Sequence, residues 1–404
     1  MGSGGGLEGS GEGATVVGPQ AVAYLYPWDL VGDPLMVARL VSAGFEHVSV
    51  AAAYHSVRAS TPQHPLHRFV VAERAALYRP VRSAVWARRS LRPFSAPWTG
   101  REDSFKHAVE ALDAGGLRVS AWVVLTHNTT LGREHRDLAV SNCFGDSYDW
   151  ALCPANAEVR EYAALLATEA VRDLALEGVS LEACGQLGVE HGSHHEKTAW
   201  AYSPLGEEIL SICCCGACQR SWEAEGMDAR ATVQALKEAF ETAERQHDGA
   251  VGAPEEVLGA ATAASLLTCR QHHCDALLEE GLGSLLSADD SLRITLHAQA
   301  SPWATGASPG LTPSSAQRPN AVLVPIQATS TNIAGDVAAA RHLVPPEVSV
   351  AAYVNLLAPI APDDFDEHAS RLLKAGADEL HLYHFGLANP ERLPLFSRLT
   401  STWR

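Results

Sequence analysis

Hydrophobic residues along this chain recur in short runs rich in β-branched and aromatic residues, and most runs are followed by a stretch with helical spacing. Such runs predict buried strands, and their alternation with amphipathic helices predicts a parallel sheet. The predicted strands cover residues 21–28, 47–55, 118–126, 179–184, 292–300, 321–328, 348–356 and 379–385. Eight strands are the number that closes a (β/α)8 TIM barrel, so the sequence predicts a single α/β barrel of this kind.

Helical spacing of apolar positions predicts helices in the intervals between these strands and after the last one. They cover residues 34–43, 105–114, 158–174, 233–245, 255–285, 334–342, 365–375 and 390–400. An open, doubly wound sheet is the alternative. The barrel is favoured because no glycine-rich phosphate-binding turn follows the first predicted strand.

Long segments follow the second, third and fourth predicted strands, at residues 57–103, 127–157 and 185–284. In a barrel, the loops after the strands lie on the catalytic face, so these insertions predict one elaborated face. The predicted domain division is a barrel over residues 19–404 with a helical, cysteine-rich insertion at about 185–284. The Gly- and Ser-rich residues 1–18 are predicted to be a disordered tail.

Composition narrows the range of partners and compartments. The 404 residues carry a formal charge of -17, which argues against nucleic acid because phosphate binding needs a basic surface. No apolar leader opens the sequence, and no run approaches the roughly 18 apolar residues of a membrane span. The nine cysteines are therefore predicted to be reduced or metal-bound in a cytoplasmic protein with no membrane partner.

Polar and aromatic side chains are concentrated at the predicted C-terminal ends of the strands, where a barrel has its ligand pocket. Neutral amides, imidazoles and phenols hydrogen-bond hydroxyl groups, and indoles give a flat face for a sugar ring. The pattern predicts a small carbohydrate as ligand and no organic cofactor. The candidate binding residues are Trp28, Tyr54, His55, His127, Asn128, His297, Gln327, Tyr353, Asn355, Tyr383 and His384.

Glu182 is the sharpest candidate for catalysis. Strand alternation places Ser180 and Glu182 on one face of the fourth strand and Val179 and Leu181 on the other. A carboxyl group directed into the barrel mouth is partly desolvated, which raises its pKa toward the range of a general acid. The alternative is a structural carboxylate paired with an arginine or a histidine.

A second cluster follows the fourth strand and contains Glu190, His191, His194 and His195. Imidazoles at this density can bind a transition metal. Glycine and serine between the histidines argue against the helix that would align them, so a loop that hydrogen-bonds the substrate is favoured. If these histidines bind a metal ion instead, the predicted function is a metal-dependent sugar isomerase or hydrolase.

Four cysteines form a separate motif. Cys213, Cys215 and Cys218 have C-x-C-x-x-C spacing, and Cys153 lies upstream. This pattern predicts a structural, tetrahedral zinc site, with reduced thiols packed on a helix as the alternative. Nucleophilic cysteine catalysis is less favoured because no histidine partner is placed by the pattern.

Three of these features together resemble the zinc-containing β-galactosidases of the large (β/α)8 glycoside hydrolase clan. They are the Cys153-Pro154-Ala155-Asn156 segment, the strand-four Glu182, and the C-x-C-x-x-C run followed by Trp222. The resemblance implies a glycoside hydrolase with Glu182 as acid/base, a structural zinc ion and assembly into a homo-oligomer. The chain as a whole also resembles uncharacterised bacterial alanine-rich proteins, which implies no activity.

The sequence departs from that clan at two positions. Leu181 precedes Glu182 where the clan has asparagine, and the seventh strand ends in Tyr353 and Asn355 where the clan has its nucleophilic glutamate. Asp29 and Glu190 are therefore the candidate second acids, ahead of residues 146 and 149, and an inverting or otherwise divergent arrangement is favoured over the double displacement of that clan. The departure also leaves open a sugar-binding barrel without catalytic activity.

Overall fold

The structure, a computed structural model, describes residues 20–190, 197–198, 201–245, 252–326, 333–357 and 364–403. Within these ranges, eight parallel strands form a closed barrel, so the predicted fold class is confirmed. The strands are β1 (Gln20–Leu25), β2 (His47–Tyr54), β3 (Arg118–Val124), β4 (Gly178–Glu182), β5 (Arg293–His297), β6 (Ala321–Ile326), β7 (Ser349–Asn355) and β8 (Glu379–Tyr383). Each strand pairs with the next, and β8 pairs with β1 to close the ring.

Helices surround the barrel and fill the segments between its strands. In the described residues they run over Met36–Ser42, Ser83–Trp86, Ser104–Ala114, Thr129–Glu134, Ala157–Val171, Pro204–Leu210, Gly216–Ala224, Ala229–Arg245, Pro254–Leu258, Ala260–Ala288, Ile333–Leu343, Asp364–Lys374 and Leu393–Thr402. No helix in these ranges is both long enough and apolar enough to cross a membrane.

Several predicted boundaries are wrong for identifiable reasons. The first strand ends at Leu25, and Pro27–Asp29 forms a short 3-10 helix instead. Proline has no N–H and a fixed φ, so it cannot continue a strand ladder. The helix predicted over 255–285 is divided at Gly259, which has a φ of 75° and separates Pro254–Leu258 from the longer helix.

The segments after β2 and β3 contain short antiparallel hairpins that the hydrophobic pattern did not predict. Val57–Ser60 pairs with Phe69–Ala72, and Ala139–Ser141 pairs with Ser147–Leu152. The predicted tail at residues 1–18 and the candidate site residues His191, His194, His195 and Gln327 lie outside the described ranges.

Close approach of backbones fixes β4 beside β5 at the base of the barrel. A Cβ atom added to Gly178 would lie 2.1 Å from the carbonyl oxygen of Arg293. Because real Cβ atoms do not approach backbone so closely, only glycine fits between these two strands.

We therefore expect Gly178→Ala to destabilise the protein by about 1–3 kcal/mol through overpacking. Gly283→Ala is the matched control, because a Cβ there meets no atom within 4 Å on the helix Ala260–Ala288. That control should be neutral or stabilising by about 0.5–1 kcal/mol, since alanine is the better helix former. Urea unfolding measures both changes, and equal stability of the two variants would contradict the packing argument.

Candidate active site

Glu182 is the last residue of β4 and lies at the C-terminal mouth of the barrel. The chain turns sharply after it, because Ala183 adopts a left-handed φ of 52° and donates its N–H to the carbonyl oxygen of Ala307 at 2.8 Å. A non-glycine residue in this conformation is strained and is held by its surroundings. The turn leaves the carboxyl group of Glu182 at the rim of the barrel interior.

The carboxyl group of Glu182 is buried with few polar neighbours. The residue is 6% exposed, and its Oε2 accepts a hydrogen bond of 2.7 Å from Nε1 of Trp122. Burial raises the pKa of Glu182 to about 7, although the Trp122 hydrogen bond opposes this shift. A carboxyl group with such a pKa is partly protonated near neutral pH, as a general acid requires.

Aromatic side chains from neighbouring strands surround this carboxyl group. The indole of Trp122 lies 4.5 Å from the ring of Tyr54 and 6.2 Å from that of Tyr383, measured between centroids. Tyr353 lies 5.6 Å from Tyr383. Burial raises the pKa of Tyr54, Tyr353 and Tyr383, and the charge of Glu182 contributes to each shift. The phenols therefore stay protonated and can donate hydrogen bonds near the acid.

Three of the residues at this mouth were not identified from the sequence. Trp122 contacts the acid directly, Tyr26 places its hydroxyl 3.4 Å from that of Tyr383, and Tyr24 packs 5.0 Å from Trp122. All three lie in the interior of the predicted strands, whereas the predicted pocket was formed by the residues at the strand ends. The alternation Tyr24-x-Tyr26 in the first predicted strand was the available signal, since residues two apart in a strand share a face.

His297 ends β5 and lies beneath Glu182. Its Nε2 is 3.0 Å from the hydroxyl of Ser180, and its Nδ1 is 4.0 Å from Oε2 of Glu182. Burial lowers the pKa of His297 to about 3, so the imidazole is neutral at physiological pH. The contact with Glu182 is therefore not an ion pair, and it is longer than a hydrogen bond.

Asp29 lies in the 3-10 helix after β1, where it is buried. Its Oδ2 accepts the N–H of Tyr26 at 2.8 Å, and a Cβ on Gly386 would lie 2.1 Å from the same oxygen. Burial raises the pKa of Asp29 to about 7, although the hydrogen bond from Tyr26 opposes this. Asp29 and Glu182 both raise the pKa of Tyr383, after the larger effect of burial, so this phenol lies within the field of both carboxyl groups.

The other candidate acids lie in different surroundings. Glu190 is exposed, and its charge helps to raise the pKa of Glu207, for which burial is the larger cause. Asp146 accepts a hydrogen bond of 3.1 Å from Asn142, and Asp149 pairs with Arg133 at 3.2 Å.

The remaining predicted binding residues fall into two groups. His55 and His127 are half-buried at the ends of β2 and β3 and stack on each other at 4.3 Å, next to Tyr54. Asn128 has a structural contact instead, because its Oδ1 accepts the N–H of Leu131 at 3.1 Å and caps a helix.

The second group consists of residues whose polar atoms contact the adjacent backbone or whose ring packs on another aromatic ring. Trp28 is buried and stacks on Tyr26 at 4.4 Å. His384 is buried and accepts the N–H of Leu387 at 3.3 Å through Nδ1. Asn355 is exposed at the end of β7, and its Oδ1 accepts the N–H of Leu357 at 2.9 Å.

The four cysteines of the predicted metal site are brought together, although they come from separate segments. Their Sγ atoms all lie within 4.8 Å of one another, and all four residues are buried. Cys153 is 3.6 Å from Cys218 and 3.7 Å from Cys215, and Cys213 accepts the N–H of Cys215 at 3.4 Å. Because the group is compact, buried and rich in thiols, it could hold a metal ion.

No protein-family model matches the sequence, and comparison with curated proteins gives no match. Among solved structures, the chain is similar to alpha-L-fucosidase isoenzyme 2 from Paenibacillus thiaminolyticus, with a TM-score of 0.55 and 11% identity over 95% of this chain and 49% of that chain. It is similar to the beta-galactosidase from Bacillus circulans sp. alkalophilus, with a TM-score of 0.54 and 11% identity over 95% and 55%.

The PgaB (BpsB) glycoside hydrolase domain from Bordetella bronchiseptica gives a TM-score of 0.57 and 11% identity over 95% of this chain and 99% of that chain. The fold is that of glycoside hydrolase barrels. This chain spans about half the length of the fucosidase and the β-galactosidase. The distant resemblance found in the sequence is therefore supported at the level of the fold.

The raised pKa of Glu182 predicts a pH-dependent cost to stability. The pKa rises from 4.5 to about 7 on folding, so between these values the folded protein binds more protons than the unfolded chain. The contribution of Glu182 to the free energy of unfolding is therefore fully present below about pH 4.5 and is lost as the pH rises through about 7. We expect Glu182→Gln to be nearly neutral at pH 4 and stabilising by up to about 3 kcal/mol at pH 8.

Urea unfolding of wild type and variant at both pH values measures this difference. Glu190→Gln is the matched control, since that carboxylate is exposed. The same stability difference between wild type and Glu182→Gln at pH 4 and pH 8 would refute the assignment.

Proposed function

We propose that the protein is a carbohydrate-active enzyme that hydrolyses a small glycoside with Glu182 as general acid. The observation that carries the proposal is a buried carboxyl group at the end of β4 whose pKa is raised to about 7 by burial, at the mouth of a glycoside-hydrolase-like barrel. A protonated carboxyl group in this position can give its proton to the glycosidic oxygen as the bond to the anomeric carbon breaks.

The surrounding side chains support a ligand rich in hydroxyl groups. Tyr353 and Tyr383 are half-buried near the ends of β7 and β8, and burial keeps their phenols protonated. His55 and His127 extend the same rim. Neutral donors and acceptors of this type suit a sugar better than a phosphorylated compound, which would need arginine or lysine.

Hydrolysis also needs a base or nucleophile for the attacking water. Asp29 is the favoured partner, because its carboxyl group and that of Glu182 both act on the phenol of Tyr383. We propose a single displacement, in which water adds to the anomeric carbon and passes its proton to Asp29 as the leaving group takes the proton of Glu182. Glu190 is the second choice as the base, because its side chain is exposed whereas that of Asp29 is buried.

A sugar-binding barrel without catalysis is the second candidate. It is favoured by the contacts of Asp29, whose Oδ2 is already held by the N–H of Tyr26, and by Tyr353 and Asn355 at the end of β7. A metal-dependent sugar isomerase or hydrolase that uses His191, His194 and His195 is a third proposal. A catalytic ion lost on substitution of His194→Ala would support it.

Hydrolysis of a panel of aryl glycosides by wild type and variants tests the enzyme proposal. We expect Glu182→Gln to lower kcat by at least about 100-fold, the usual contribution of general acid catalysis. Asp29→Asn should cause a comparable loss, and Glu190→Gln should have little effect. Equal rates for wild type and Glu182→Gln would reject the acid, while sugar binding without turnover in wild type would favour the second candidate.

For the four-cysteine group we propose a structural zinc ion bound by Cys153, Cys213, Cys215 and Cys218. A tetrahedral zinc site with Zn–S bonds of about 2.3 Å places its sulfur atoms about 3.8 Å apart. The Sγ separations of 3.6 and 3.7 Å agree with this value. Such an ion would join the segment before the helix Ala157–Val171 to the insertion after β4.

Metal analysis of purified variants tests the zinc proposal. Cys215→Ser should lose about one equivalent of zinc and lower the melting temperature, because a structural zinc site contributes directly to folding. Cys214→Ser is the matched control, since Cys214 is the adjacent buried thiol and lies near the carbonyl of Ile212 at 3.6 Å. Equal zinc content in both variants would refute the ligand set.

We further propose that the protein is cytoplasmic. All nine cysteines are free thiols in the structure, which supports a reducing compartment such as the cytoplasm. We further propose a homo-oligomer that has no nucleic acid or membrane partner.

A further inference from the structure

A chain of hydrogen bonds runs through the barrel interior from beneath Glu182 to the opposite end. His297 Nε2 is 3.0 Å from the hydroxyl of Ser180, which is 3.2 Å from that of Tyr24. The Tyr24 hydroxyl is 3.1 Å from Nδ1 of His381. Nε2 of His381 is in turn 3.1 Å from Oε2 of Glu379. All of these side chains are buried, and most have no part in the proposed chemistry.

Glu379 carries a negative charge at the lower end of this chain of hydrogen bonds. It pairs with Arg293 and also accepts a hydrogen bond of 3.2 Å from Nε2 of Gln20. Burial raises the pKa of Glu379, but the hydrogen bond from His381 and the charge of Arg293 outweigh it and bring the pKa down to about 2. Glu379 is thus a carboxylate, which can only accept hydrogen bonds.

Because Glu379 can only accept, its position at one end determines which group donates in each hydrogen bond of the chain. Burial lowers the pKa of His381, so the ring is neutral, and its single N–H must be Nε2–H, which donates to Glu379. Its bare Nδ1 accepts the O–H of Tyr24, and the oxygen of Tyr24 accepts the O–H of Ser180.

The same reasoning determines which ring nitrogen of His297 carries the hydrogen. The oxygen of Ser180 must accept, because its own hydrogen is given to Tyr24, and so Nε2 of His297 carries the hydrogen. Burial lowers the pKa of His297 to about 3, and the ring holds one proton only. Nδ1 is therefore a bare lone pair 4.0 Å from Oε2 of Glu182.

We propose that His297 is a positioning residue whose tautomer is fixed from Glu379 through Ser180, and that its lone pair adds to the effect of burial in keeping Glu182 protonated as a general acid. A lone pair at this distance repels a carboxylate and attracts a carboxylic O–H. The opposite tautomer would present an N–H and favour the carboxylate. The inference rests on the proposed function of Glu182 but concerns its protonation state, which can be measured without a substrate.

The other groups that face Glu182 are neutral at physiological pH. They are the indole of Trp122 from β3 and phenols from β1, β2, β7 and β8, namely Tyr24, Tyr54, Tyr353 and Tyr383. The charges that act on His381 are those of Glu379 and Arg293 at the barrel base. Within the described residues, His297 is thus the titratable group of β5 that bears on the acid.

Ser180→Ala breaks the chain, and Ser180→Thr restores a hydroxyl. The matched control is Ser120→Ala, because Ser120 bonds a different buried imidazole, His47, at 2.8 Å. Two-dimensional ¹⁵N NMR of histidine-labelled protein reports the tautomer of His297. Infrared difference spectra against Glu182→Gln report the titration midpoint of the Glu182 carboxyl group.

We expect wild type, Ser180→Thr and Ser120→Ala to show the Nε2–H tautomer of His297. In Ser180→Ala the Nδ1–H form should appear, and the Glu182 midpoint should fall by about one pH unit, a tenfold loss of proton affinity. Tyr24→Phe breaks the next link and should act in the same direction. It serves as the test if Ser180→Ala does not fold.

An unchanged tautomer and midpoint in the chain-breaking variants would overturn the proposal. An equal shift in Ser120→Ala would also overturn it, because the effect would then be one of general packing. If glycosides are not hydrolysed but the tautomer and midpoint shift as expected, the proposed function fails and the positioning role of His297 stands.

Discussion

The closure of eight parallel strands into a barrel constrains the side chains on which the site depends. Every second residue of each strand points to the barrel axis, and a polar side chain there must find its partner inside the ring, because an unpaired buried polar group costs several kcal/mol. Tyr24, Ser180 and His381 meet this constraint by bonding one another across the axis. Hydroxyls and neutral imidazoles suit such positions because each can both donate and accept.

Two glutamates in the same barrel show how environment decides protonation. Glu379, at the base, lies beside Arg293 and the N–H of His381, and its pKa is brought down to about 2 against the effect of burial. Glu182, at the mouth, has the Trp122 indole as its hydrogen-bond donor and no nearby cation among the described residues, and burial raises its pKa to about 7. The base therefore holds a permanent charge, and the mouth holds an acid that can release a proton.

Much of this architecture could be predicted from the sequence, because hydrophobic periodicity and strand alternation are local properties. Eight strand positions, the orientation of Glu182 and the assembly of four cysteines followed from spacing alone. The contacts around Glu182 did not follow, since Trp122 reaches it from a neighbouring strand and is 60 positions away along the chain. The two hairpins were also missed, because their strands are only three to six residues long.

The end of β7 explains why the protonation of Glu182 does not depend on a second carboxylate. In a pair of adjacent carboxyl groups, each raises the pKa of the other by like-charge repulsion. Tyr353 stands there instead, and burial is the cause that raises the pKa of Glu182. An acid maintained in this way needs no neighbouring nucleophile to remain protonated. The proposed attack by water, with Asp29 as its base, therefore requires no covalent intermediate on β7.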